Sequence, residues 1–117
     1  MKTMIENFNM QGLINVYLDD ERVTPEGFIR TYTPVETIEL LENNVGNIGF
    51  LSLDHDLGDD DGIGTGYHIV LWIEEQVYTN PNYVPPKFIH VHSANGSAAI
   101  KMRSGIESII KKANQNG

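Results

Sequence analysis

The chain contains seven aspartates, and all of them fall in two stretches: Asp19-Asp20, and then Asp54, Asp56, Asp59, Asp60 and Asp61. Each stretch directly follows an apolar run. The nine glutamates are instead scattered along the chain, as solubilising charge usually is. Carboxylates gathered at neighbouring strand ends repel one another unless a proton or a cation lies between them. Their hard oxygens favour Mg²⁺, Mn²⁺ or Ca²⁺ over zinc. Asp19, Asp20, Asp54 and Asp56 are therefore candidate metal ligands, with Mg²⁺ or Mn²⁺ as the expected ion. The competing reading makes them helix caps and solvated loop residues.

Histidines and hydroxyls accompany the acids. His55 lies between Asp54 and Asp56 and is either a general acid or base or a packed, hydrogen-bonded side chain. His92 and Ser93 end a later apolar run, where His92 can donate a proton or bind a metal and Ser93 can bind phosphate. His90 shares a face with His92 but lies deeper in the strand, as a structural residue would. Asn95 either binds a ligand or caps the next helix. Arg22, three residues past Asp19, presents a planar fork suited to phosphate oxygens, or else forms a surface salt bridge to a nearby glutamate. Asp59 to Gly64 fits neither a calcium-binding loop, which would require Leu57 first and His68 twelfth, nor a dinucleotide fingerprint, because Tyr67 stands at the third glycine. His68 reads as a packing or surface residue.

Composition narrows the chemistry further. At 117 residues the chain reads as a single domain with room for a real core. The absence of cysteine excludes disulfides and thiolate chemistry. A net charge of −8 argues against non-specific adhesion to nucleic acid and against acidic membrane surfaces, but leaves room for a phosphate ligand bridged by a metal. With no leader-like or membrane-spanning apolar run, the expected location is cytoplasmic.

The elements that must position these groups are legible from periodicity. Ile14–Leu18, 28–32, Ile48–Leu53 and 88–92 read as strands. Thr33-Pro34-Val35-Glu36 is a capping box with proline at the first helical position. The helix it opens carries a stripe of Val35, Ile38, Leu41 and Val45, with Gly46 as its stop. A second helix over about 66–78 is apolar on more than one face. A third, over 97–113, turns Met102, Ile106, Ile109, Ile110 and Ala113 inward. Trp72, Tyr17, Tyr32 and Tyr67 read as core or core-edge residues. Strands alternating with helices predict an α/β fold: an open parallel sheet of about four strands, order 2-1-3-4, flanked by three helices. Right-handed crossovers then bring all the carboxyl ends of the strands to one edge, and the two aspartate stretches meet there.

These residues resemble a receiver domain: an acidic pair after the first strand, Asp54 after the third, Asp61-Gly62 beyond it and Ser93-Ala94 after the fourth. The resemblance implies a receiver-like (flavodoxin-like) domain over residues 1–117, with a core of about 14–112 and Asp54 in the phosphoacceptor place. The pattern departs from receivers in lacking the first helix and the fifth strand with its lysine, and in having Gly58 where proline is usual. Leu18-Asp19-Asp20-Glu21-Arg22, Ser52-Leu53-Asp54-His55-Asp56-Leu57-Gly58, Gly64-Thr65-Gly66-Tyr67 and His92-Ser93-Ala94-Asn95 look more like the cyclic-phosphate-processing receiver domains. That resemblance implies processing of cyclic phosphate or phosphoester groups on RNA ends or nucleotides. Asp19, Asp20, Asp54 and Asp56 would hold the metal. Asp54, His55 and His92 would be catalytic, and Arg22, Ser93 and Asn95 would bind phosphate. The alternative is a phosphoacceptor or degenerate receiver signalling module, with a protein partner and phosphorylation at Asp54.

Overall fold

The computed structural model describes residues 13–19, 22–54, 65–92 and 96–116. Along them run β1 (Ile14–Leu18), β2 (Phe28–Thr31), α1 (Pro34–Asn43), β3 (Ile48–Leu53), α2 (Gly66–Thr79), β4 (Phe88–Val91) and α3 (Gly96–Asn116). The strands form one parallel sheet in the order β2-β1-β3-β4, as the alternation of elements predicts. The third helix extends three residues beyond its sequence-predicted end. No described residue between β1 and β2 is helical.

Local signals account for the elements. Thr33 Oγ1 accepts from the Glu36 N–H at 3.2 Å, and Glu36 Oε1 accepts from the Thr33 N–H at 3.1 Å. This reciprocal box satisfies N–H groups that a helix start otherwise leaves unpaired. Pro34 follows as the first helical residue. Beyond the last turn Gly46 adopts φ +84°, which costs glycine little and most other residues considerably more.

The stripe predicted for α1 is only half right. Leu41 is buried, but Val35 is 63% exposed and Val45, beyond the helix, is 44% exposed. Pro34 and Thr37 take the buried positions instead. A threonine can be fully buried there because its hydroxyl has two partners, the Thr33 carbonyl at 2.9 Å and the Thr31 hydroxyl at 2.7 Å. Two further expectations are corrected. Tyr32 is 52% exposed rather than at the core edge, and Ile110 is 53% exposed because it flanks the stripe that Ile106 and Ile109 define.

One core forms on one face of the sheet. Val16, Leu18, Leu51, Leu53 and Val91 from the strands pack with Ile69, Val70, Ile73 and Val77 of α2 and with Met102, Ile106 and Ile109 of α3. Each such side chain contributes roughly 1.5–3 kcal/mol by leaving water. Side chains alternate along a strand, so Asn15, Tyr17, Phe28, Arg30, Phe50, Phe88 and His90 lie on the other face. Among the described residues no helix covers that face, and Phe50 and Phe88 on it remain 39% and 54% exposed.

At the carboxyl edge the hydrogen-bond ladder continues one rung past the strands. The Asp19 N–H donates to the Thr31 carbonyl at 3.2 Å, Asp54 to Leu18 at 3.0 Å and His92 to Leu53 at 2.9 Å. Two carboxylates and an imidazole are therefore held by backbone on neighbouring strands, immediately beyond the last paired positions.

Candidate functional site at the carboxyl edge of the sheet

Asp19, Asp54 and His92 converge at this edge. Each offers one ligand atom, and the three atoms lie within 4.8 Å of one another. Both carboxylates are buried, Asp19 completely and Asp54 to 5% exposure. Arg22 bridges them: its Nη1 lies 2.8 Å from Asp19 Oδ2 and 3.3 Å from Asp54 Oδ2. The Arg22 backbone N–H adds a 3.1 Å bond to Asp19 Oδ1. The hydrogen bond to Asp19 raises the Arg22 pKa further, so this guanidinium stays charged. The salt bridge weighed for Arg22 thus exists, but its partners are two aspartates across the site rather than a surface glutamate.

His92 closes the site from β4. One ring nitrogen, Nε2, lies 3.0 Å from Asp19 Oδ2, and the other, Nδ1, lies 2.7 Å from Ser52 Oγ. Burial lowers the His92 pKa below the usual histidine range, and the neighbouring Asp19 offsets only part of that. A neutral ring next to an ionised carboxylate must carry its proton on Nε2, because a carboxylate only accepts. Ser52 then donates to Nδ1. The Tyr17 ring lies flat on the imidazole, with centroids 4.5 Å apart and planes 5° apart. Burial, and next to it Asp19, raises the Tyr17 pKa, which keeps the phenol neutral. Ring orientation and tautomer are therefore set by three neighbours.

The supporting backbone is tight as well. Arg30 Nε donates to the Asp19 carbonyl at 2.9 Å, fixing the residue whose carboxylate is shared. A Cβ on Gly66 would overlap the Asp54 carbonyl oxygen, so the first residue of α2 has to be glycine for the helix to approach β3 this closely.

The donor set fits a hard divalent cation. Asp19 and Asp54 carry two negative charges, and Arg22 supplies one positive charge. Oxygen donors suit Mg²⁺ or Mn²⁺. With its proton on Nε2, the neutral imidazole turns an N–H and not a ligand lone pair toward the carboxylates.

Of the residues singled out from sequence, the structure brings Asp19, Asp54, His92 and Arg22 together. Asp20, His55, Asp56, Ser93 and Asn95 lie outside the described residues. Ser52, Tyr17, Arg30 and Gly66 were not assigned to the site from sequence. Strand alternation could have suggested Ser52, which lies two residues before Asp54 on the same face. His68 is a helix-capping group, its Nδ1 accepting from the Thr65 N–H at 2.9 Å. His90 is exposed on the uncovered face.

An open parallel sheet with paired carboxylates after its first and third strands makes this a receiver-like α/β domain. The family model for the cyclic-phosphate processing receiver domain matches residues 14–108, and the chain belongs to that family. Comparison with curated proteins and with solved structures returns no match. Among the described residues no helix is long and apolar enough to cross a membrane.

Proposed function

We propose that the protein processes a cyclic phosphate or related phosphoester, on an RNA end or a nucleotide, at the edge formed by Asp19, Asp54 and His92. His92 carries this reading. A phosphoacceptor site needs a carboxylate and a cation but no acid–base group. Here an imidazole is held on both nitrogens and stacked on a tyrosine beside the carboxylates.

Asp19 and Asp54 would hold a divalent ion, with Asp20 and Asp56 adjoining them in sequence. A bound ion would supply Lewis-acid polarisation of a phosphoryl oxygen there. Arg22, whose side chain is 43% exposed, would turn its outer N–H groups to the phosphate, with Ser93 and Asn95 as further phosphate ligands. His92, once protonated, would give its Nε2 proton to the leaving ribose oxygen. Burial makes that imidazolium the stronger acid, and Asp19 and Ser52 keep it aligned. A water would attack phosphorus as the bond to that ribose oxygen breaks, and His55, the second candidate for proton transfer, would take the proton the water loses; Asp54 would contribute its carboxylate at the reacting edge.

The test is a screen of cyclic and linear phosphoesters with Mg²⁺ or Mn²⁺, run beside Asp54→Asn and His92→Ala. Both variants should fold and lose turnover; rates unchanged in His92→Ala would refute its role. The signalling alternative is separated by incubation with Mg²⁺ and a small phosphodonor. A phosphoryl mass gained by the parent chain and lost in Asp54→Asn would favour phosphoacceptance.

A further inference from the structure

We propose that the face of the sheet that no described helix covers is a base-stacking platform for the nucleotide or RNA end whose phosphate occupies the carboxyl edge, an inference that rests on the phosphoester reading above. Aromatic rings run without a break from that edge across the face. Tyr17 lies flat on His92 at 4.5 Å. Phe28 meets Tyr17 edge-on at 6.1 Å. Phe50 follows Phe28 at 6.3 Å, and Phe88 stacks on Phe50 at 4.8 Å.

Parallel sheets normally have both faces covered, and phenylalanines on such a face would be buried. Here Phe50 and Phe88 are 39% and 54% exposed, side by side on neighbouring strands. Aromatic side chains left open to water on a sheet face are what single-stranded nucleic acid stacks on. Charge points to the same ligand. The chain carries 16 acidic residues, yet no strand residue on this face is acidic, and the strand residue there with a permanent charge is Arg30. The Arg30 guanidinium lies 4.8 Å from the centre of the Tyr32 ring and extends the row at β2. Because few cations are present, binding comes from ring contact rather than from neutralised backbone phosphates.

The test measures, on the full chain, the anisotropy of a labelled single-stranded hexaribonucleotide with plain hydroxyl ends and of the same strand ending in a 2′,3′-cyclic phosphate. Turnover of a base-free cyclic phosphate diester is followed in parallel. Phe50→Ala and Phe88→Ala should each weaken strand binding roughly tenfold. Phe88→Trp should restore it, the affinity should fall only shallowly with salt, and turnover of the base-free compound should not change. Strand affinity unchanged in both alanine variants overturns the proposal, as does a steep salt slope. A dimer that the alanine variants dissociate without affecting strand binding makes the face a contact between copies, and also overturns it. So do chemical-shift changes in residues 1–12 when either ring is removed from the strand-free protein, which would place that segment on the face. If the base-free compound is never processed while strand binding still depends on Phe50 and Phe88, the platform stands and the phosphoester reading falls.

Discussion

Removing Arg22 tests the electrostatics of the site directly. In Arg22→Gln two buried carboxylates remain, with ligand atoms no more than 4.8 Å apart and the side-chain cation gone. At an effective dielectric of about 20 their repulsion is roughly 3 kcal/mol. The guanidinium is 43% exposed, and screening by water reduces the effect on stability to about 1–2 kcal/mol. For a domain of this size that corresponds to roughly 4–8 °C in Tm. The substitution leaves the backbone N–H of residue 22 free to keep its bond to Asp19. A divalent cation replaces the lost charge, so saturating Mg²⁺ should stabilise Arg22→Gln more than the parent chain and restore most of the deficit. The assay is urea or thermal unfolding of both proteins, with and without Mg²⁺. A variant as stable as the parent, gaining nothing extra from Mg²⁺, would refute the view that one cation must lie between these carboxylates.

Gly66→Ala should cost about 1–3 kcal/mol and abolish phosphoester turnover, since the new methyl meets backbone at Asp54 and not a flexible side chain; normal unfolding with normal turnover would contradict the packing argument. Ser52→Ala should lower kcat while changing stability by only about 1 kcal/mol, because it frees His92 Nδ1 without opening the core; an unaltered kcat would show that the serine does not orient the ring. Burial pushes the Tyr83 pKa up to about 12, above the unfolded value of 10, so the neutral phenol stabilises the fold. That stability is fully present below pH 10 and is lost as pH rises toward 12. Unfolding free energies at pH 9 and 11 should therefore diverge less in Tyr83→Phe than in the parent chain, and equal slopes would count against the assignment.

The strands, their order and the Thr33–Glu36 cap were legible because their signals are local: apolar runs, a capping box and strict alternation of elements. The meeting of Asp19, Asp54 and His92 followed from that order alone. Which groups hold them in place did not follow. Ser52 reaches His92 across the β3–β4 register, and Tyr17 reaches it from β1 across β3, so neither contact has a counterpart in sequence spacing. For Arg22 the sequence leaves phosphate binding and a surface salt bridge to a glutamate both open, because spacing along the chain carries no direction; the structure pairs its guanidinium with Asp19 and Asp54. Periodicity puts Val35 and Val45 in the core because it weighs hydrophobicity and not hydrogen bonding; Thr37 takes a buried place by finding two hydrogen-bond partners, and Val45 lies beyond the end of α1. The sequence itself predicts no helix between β1 and β2, but it does not show that Phe50 and Phe88, on the face that no described helix covers, stay exposed.

The extra rung that fixes Asp19, Asp54 and His92 also has a bearing on descent. Neighbouring strands lie about 4.8 Å apart in any sheet, so the pitch of this site is inherited from peptide geometry and owes little to side-chain choice. Mutation can exchange a carboxylate for an imidazole at any of the three positions without re-spacing the others. A scaffold of this kind can change the groups it presents at its edge by single steps, each intermediate already in register.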